Sequence, residues 1–194
     1  MSMSNSAAEN PPQPWTAFFD ELDCLLEEPV ELHCVGGFVL ATVYQLPRVT
    51  GDCDYVAAPG GWTQLEALAG PNSPLHKKHK VYLQRVSLTT MPENYQSRLS
   101  ELFPTRFKRF RIFVPDVYDL ILSKVERNSP KDNEDVQYLV RTVPLESALL
   151  RDRYREEQRP YFLSRHDWHD KTVQMWIDAY FHDTTDLSSG SGQA

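Results

Sequence analysis

One stretch of the chain constrains its fold more than any other: ELHCVGGFVLATVYQLPRVTGDCDYV, residues 31–56. An apolar strand runs into Gly36 and Gly37. A helix-forming segment follows and stops at Pro47, and a second strand carries Asp52 and Asp54. The two-residue period of a strand puts Asp52 and Asp54 on one face and turns Cys53 and Tyr55 to the other. Two carboxylates projecting together can share one or two Mg²⁺ ions, which prefer oxygen ligands. Without Cβ atoms, Gly36 and Gly37 let the backbone approach a phosphate chain, and the next helix adds free N–H donors and a favourable dipole. Taken singly, Gly-Gly reads as a turn and Asp-x-Asp as a solvated strand face. Their order and separation, with Arg48 and Thr50 just before the acids, make them one site. Arg48 stands where it suits either orienting a carboxylate or meeting a phosphate.

The remaining pattern alternates between helix and strand periods. Helices are expected at Trp15–Leu26, Phe38–Leu46, Glu93–Leu102 and Asp116–Arg127, with a further helix from Pro130 to about Val143. This last helix carries a start signal: Ser129 as cap, Pro130 at the first position and Asp132 three residues after the cap. Strands are expected at Val30–Val35, Val49–Ala57, Val81–Leu88 and Phe107–Val114, and a Pro/Gly/Ser-rich loop at Pro59–Pro74. Helices at Leu145–Gln158 and His166–Phe181 form a C-terminal annex. The expected class is α+β, a mixed sheet flanked by helices. Residues 1–14 read as a disordered leader, 15–144 as the main domain, 145–182 as the helical annex and 183–194 as a flexible tail.

A net charge of −7 excludes a broad basic surface for DNA, because phosphate neutralisation needs clustered Lys and Arg. Cys24, Cys34 and Cys53 contain no CxxC pair, which suits a reducing cytoplasm better than a disulfide framework. The N-terminal residues have neither the basic nor the apolar region of a signal peptide, and no apolar run is long enough to cross a bilayer.

The Gly36-Gly37…Arg48-x-Thr50-x-Asp52-x-Asp54 order resembles the signature of the DNA polymerase beta-like nucleotidyltransferase superfamily. It is most similar to the bacterial branch holding the AbiEii-type toxins and a related uncharacterised family. Leu88–Leu99 and Val114–Leu139 resemble two further blocks of that family. The resemblance implies Mg²⁺ on Asp52 and Asp54, and Lys124 near the nucleotide phosphates. It further implies that Arg127, Asp132 and Asp135 line or brace the same cleft. By residue type alone, Lys124, Arg127 and Asp135 also fit an ordinary helix surface. The family pattern includes a third carboxylate from a later strand as general base, and neither Val81–Leu88 nor Phe107–Val114 holds an acid. That role passes to Asp132 or Asp135, comes from elsewhere, or is missing; Asp116 and Asp119 read more simply as first-turn acids.

Other signals are weaker. His166-x-x-His169 reads as helix surface rather than a metal site, and His33 as a core histidine. Trp168, Met175, Trp176, Tyr180 and Phe181 read as annex packing. The FKRFRIF strand, the basic run 76–80, Arg85 and Arg98 read as solvated surface rather than an RNA grip. The expected function is Mg²⁺-dependent transfer of NMP from an NTP to an RNA or protein hydroxyl, with a cognate antitoxin or other partner protein implied by the resemblance. The alternative is a nucleotide-binding or protein-interaction module that has lost turnover. A metal-dependent phosphohydrolase ranks third.

Overall fold

A computed structural model describes residues 10–87 and 89–181; the tail at 183–194 and most of the leader at 1–14 lie outside them. Helix α1 (Trp15–Leu25) buries Trp15, Phe18, Phe19 and Leu22. The next elements are β1 (Val30–Val35), α2 (Gly36–Val43) and β2 (Asp52–Ala57). Then come α3 (Trp62–Ala69), α4 (Pro74–His79), β3 (Tyr82–Arg85), β4 (Ser100–Leu102) and β5 (Phe110–Val114). Helices α5 (Val117–Leu122) and α6 (Pro130–Thr142) follow, and α7 (Ser147–Arg153) and α8 (His166–Tyr180) lie in the stretch expected to be the annex. Among the described residues no helix is long and apolar enough to cross a membrane.

The class is α+β: a five-stranded mixed sheet, ordered β3-β2-β1-β5-β4, flanked by helices. β1 runs antiparallel to β2 and parallel to β5; β2 runs parallel to β3, and β4 antiparallel to β5. The aromatic rings of α1 pack across the sheet, Trp15 on Phe38 with centroids 5.0 Å apart and Phe19 on Phe110 at 5.4 Å. Such pairs add about 0.5–1.5 kcal/mol each beyond area burial. The Ser129 signal is realised in full: its hydroxyl accepts from the Asp132 amide, and the Asp132 carboxylate accepts from the Ser129 amide.

Two expectations fail, and a third holds with a change of helix type. The stretch 59–74 is not a loop but holds α3 and the start of α4. Leu65 and Ala69, one turn apart, bury on the core, and Ser73 caps α4 with Pro74 at its first position. The helix expected at Glu93–Leu102 is a 3₁₀ turn, Tyr95–Arg98, followed by β4. There Leu102 is buried opposite Ile112, and Glu101 pairs with Arg111; sheet closure outweighs local propensity. Leu145–Gln158 is α7 running into a π-helical turn, Tyr154–Gln158.

Charges expected at the surface also divide. In β5, Phe110 and Ile112 are buried, whereas Arg111 pairs outside with Glu101 and Glu31. Lys78 and His79 of the basic run both meet Glu21. Arg98, by contrast, is no solvated charge: it grips the buried Asp119 through two nitrogens at 2.8 and 3.0 Å and reaches Glu157 at 2.7 Å. Asp119 is thus more than a first-turn acid, while Asp116 caps α5 and pairs with Arg153 of α7. This network ties the annex to the sheet layer.

Candidate active site

The chain turns sharply where β1 ends. Gly36 has φ +71°, a left-handed conformation that L side chains adopt at a cost, and it opens α2 without any side-chain cap on the helix. Asp54 stands opposite Val35 in the β1–β2 ladder, so its carboxylate lies over this turn. A Cβ on Gly36 would sit 2.5 Å from Asp54 Oδ2. A Cβ on Gly37 would sit 2.7 Å from the Thr50 methyl, so Thr50 packs on the second glycine. Gly36→Ala is therefore expected to cost about 1–3 kcal/mol of stability, from backbone strain and displacement of Asp54. It should also weaken Mg²⁺ binding more than Gly37→Ala does. Urea unfolding and Mg²⁺ titration of both variants check this, and equal metal affinity in the two would refute it.

The period-two reading of β2 holds. Cys53 and Tyr55 are buried in the core, with the Cys53 sulfur 3.4 Å from that of Cys34, while Asp52 and Asp54 occupy the more open face. Burial, and then the charge of Asp52, push the Asp54 carboxyl up from 3.8 to about 6. The charges of Arg127, Lys124 and Lys131 pull it back only in part, and two of these cations are bonded to other acids. Lys124 Nζ donates to Asp135 at 2.8 Å and lies 3.5 Å from Asp132. Arg48 donates to Asp135 at 2.6 Å, and Arg127 holds both oxygens of Asp132 at 2.8 and 2.6 Å. An acid pair so placed, with no ion-pair partner among the described residues, fits a divalent ion. Among the described residues no group of three or more His, Cys, Asp or Glu side chains gathers to hold a metal. Phosphate oxygens and water would have to complete the coordination of an ion on Asp52 and Asp54.

Beside Asp54 opens a cavity of about 750 Å³. Gly36, Asp54, Lys124 and Arg127 line it; Gly37, Arg48, Thr50, Asp52 and Asp135 do not. Lys124 and Asp135 are 3% and 1% exposed, so they are no ordinary helix surface: Asp135 braces Lys124 from behind, and Arg48 braces Asp135. Burial alone would raise Asp132, but Arg127, Ser129 and Lys124 together hold it down to about 2. An acid held so strongly in its ionised form is a poor proton acceptor at neutral pH. Asp132 is thus badly suited to act as general base, while Asp135 accepts from both Lys124 and Arg48.

The sheet register answers where a third acid from the neighbouring strand would stand. Residue 84 pairs with Asp54 in the parallel β2–β3 ladder, and it is a glutamine whose side chain lines the cavity. The cavity has one other carboxylate among the described residues, Glu126, whose Oε2 accepts from the Thr90 amide at 2.5 Å. Sequence reasoning passed over Glu126, although it lies between Lys124 and Arg127 in the block already singled out. It also read the annex as surface and packing, outside the site. His169, expected at the surface, is 3% exposed and lines the cavity; its ring packs on Phe162 with centroids 4.0 Å apart. The His166-x-x-His169 spacing marked it only as helix surface, since its burial depends on how α8 packs on the rest of the chain. His33 is a core histidine as expected, bonded to the Tyr95 hydroxyl at 3.1 Å. Of the annex stripe, Trp176 is fully buried, but Trp168 and Met175 are exposed.

A family model described as "nucleotidyltransferase of unknown function (DUF6036)" matches residues 17–185, sheet layer and annex together. No curated protein and no solved structure matches the chain.

Proposed function

The chain belongs to this nucleotidyltransferase family, and we propose that it transfers NMP from an Mg²⁺-bound NTP to a hydroxyl of RNA or of a protein side chain. The observation that supports this reading best is the Asp52/Asp54 pair, without an ion-pair partner among the described residues, whose Asp54 lies over the Gly36 turn and lines a cavity that Lys124 and Arg127 also line. Bound Mg²⁺ would supply Lewis-acid polarisation of the phosphates. Asp52 and Asp54 hold that charge in place. The uncapped first turn of α2 offers its amides to phosphate oxygens. Lys124 and Arg127 face the charge that builds on the departing pyrophosphate, and Asp135, itself held by Arg48, keeps Lys124 aimed. Preorganised charge of this kind is the main protein contribution in phosphoryl chemistry.

Incubation with labelled NTPs, Mg²⁺ and either cell RNA or protein extract tests the reading. Label transfer should fall about 10²–10³-fold in Asp52→Ala and in Asp54→Ala, the scale on which removed charge stabilisation acts. NTP consumption without labelled acceptor would identify a phosphohydrolase instead. Gln84 at the position opposite Asp54 favours a second reading, a nucleotide-binding module without turnover. Tight Mg-NTP binding with no transfer to any acceptor would establish it, and absence of NTP binding would overturn both. We place the protein, by the resemblance of its motifs, in a toxin–antitoxin or phage-defence setting. Growth arrest on expression, relieved by the product of a neighbouring gene, tests that placement.

A further inference from the structure

One wall of the cavity stands apart from Asp54, Lys124 and Arg127 and carries a single charged side chain, Arg165. It comes from the annex, where Leu163, Ser164, Arg165 and His169 line the space. Chemically this wall is unlike the end formed by Gly36, Asp54, Lys124 and Arg127. Leu163 is an apolar side chain left fully exposed at the rim. His169 is almost wholly buried, yet among the described residues its Nδ1 has no hydrogen-bond partner. A buried polar atom without a partner costs free energy, which a suitable ligand group would recover. Burial lowers the His169 pKa, so the ring is neutral at neutral pH, with one donor and one acceptor nitrogen.

The annex holds this wall firmly. Trp176 on α8 donates to Asn133 on α6 at 2.5 Å, and Asn128 donates to Thr172 on α8 at 3.1 Å. Gln158, in the π-helical turn, donates to the carbonyls of Thr90 and Leu122 at 2.6 and 2.9 Å, fixing the annex to a loop that also lines the cavity. Arg165 begins α8 in a left-handed conformation, φ +60°, with its guanidinium 4.9 Å from the Trp168 ring centre. A volume of about 750 Å³ is within the range that takes a nucleotide-sized ligand.

We propose that this annex wall is the nucleobase subsite: His169 hydrogen-bonds the polar edge of the base, and Leu163 covers its apolar face. The proposal rests on the NTP reading above and deepens it. A flat heteroaromatic with a polar rim matches an apolar lip beside a neutral imidazole. Phosphate matches neither, and the charged end of the cavity already provides for it.

The test compares binding of Mg²⁺-tripolyphosphate with that of Mg²⁺-ATP, -GTP, -CTP and -UTP to the full chain by calorimetry. Tripolyphosphate reports the phosphate end alone. At least one NTP should bind about tenfold or more tighter than tripolyphosphate, a gap of about 1.4 kcal/mol. His169→Ala should erase most of that gap and narrow the spread among the four NTPs, leaving tripolyphosphate within about twofold of wild type. Leu163→Ser, at a fully exposed position that folding does not depend on, should narrow the gap as well. The proposal is overturned if both variants keep the gap, if His169→Ala weakens tripolyphosphate equally, or if only the KM for the acceptor moves. Tripolyphosphate binding with no NTP gap in the wild type overturns the subsite alone. Failure of every ligand to bind overturns the NTP reading itself.

Discussion

Asp54→Asn is expected to stabilise the metal-free protein at pH 7.5 while abolishing Mg²⁺-dependent transfer. Burial, and then Asp52, raise the Asp54 carboxyl from 3.8 to about 6. Between about pH 4 and pH 6 the folded chain therefore binds more protons at this site than the unfolded chain does. Stability must fall as pH rises through that window, and the full penalty is present above it. Two units correspond to about 3 kcal/mol at most, and partial exposure of the side chain reduces this to about 1–2 kcal/mol. The amide carries no charge and removes the penalty. Urea midpoints of the two proteins should coincide near pH 4 and separate by pH 7.5, with the variant more stable. Adding Mg²⁺ should raise the wild-type midpoint and leave that of the variant unmoved. A variant less stable at both pH values would show that Asp54 contributes packing rather than strain, and the account of the site would fail there. Charge that destabilises the empty fold and is neutralised by the ligand is what a binding site built for a cation requires.

Much of this was legible in the sequence, for reasons that differ residue by residue. The strand period alone sorted Asp52 and Asp54 from Cys53 and Tyr55, because alternation across a sheet follows from backbone geometry. The Ser129-Pro130-x-Asp132 cap was legible because its chemistry is local. Helix α4 has a cap of the same kind, Ser73-Pro74, yet the glycines and prolines around it disguised the segment as a loop. Strand β4 was invisible, since three residues become a strand only when β5 lies alongside. The cavity depended entirely on tertiary packing. Glu126 and His169 come from segments separated by the whole of α6 and α7, and nothing in residue type or spacing brings them together. Gln84 could be read as the absence of an acid in VYLQRVSL, but only the parallel register shows that it stands level with Asp54.

The largest effect on stability is expected from Asp135→Ala. Lys124 is 3% exposed, and its closest partner is Asp135 at 2.8 Å; Asp132 is farther, at 3.5 Å, and is already held by Arg127 and Ser129. Removing Asp135 leaves a buried ammonium without its main partner and also strands the Arg48 guanidinium that Asp135 accepts from at 2.6 Å. Breaking one side of a buried pair costs about 3–5 kcal/mol, a large fraction of the ~5–15 kcal/mol that holds a domain together. Arg48→Met should cost less, because that side chain is 25% exposed and leaves the Lys124–Asp135 pair intact. The double variant Lys124→Met/Asp135→Leu separates structure from chemistry: apolar side chains of similar size should recover most of the lost stability, since the desolvation of both charges is relieved. Transfer activity should not return with it, because the cavity has lost its lysine. A loss below about 1 kcal/mol in Asp135→Ala would mean that water reaches Lys124 and that the pair is not sealed. Recovery of activity in the double variant would remove Lys124 from the phosphate chemistry and leave Arg127 as the cation facing the departing pyrophosphate.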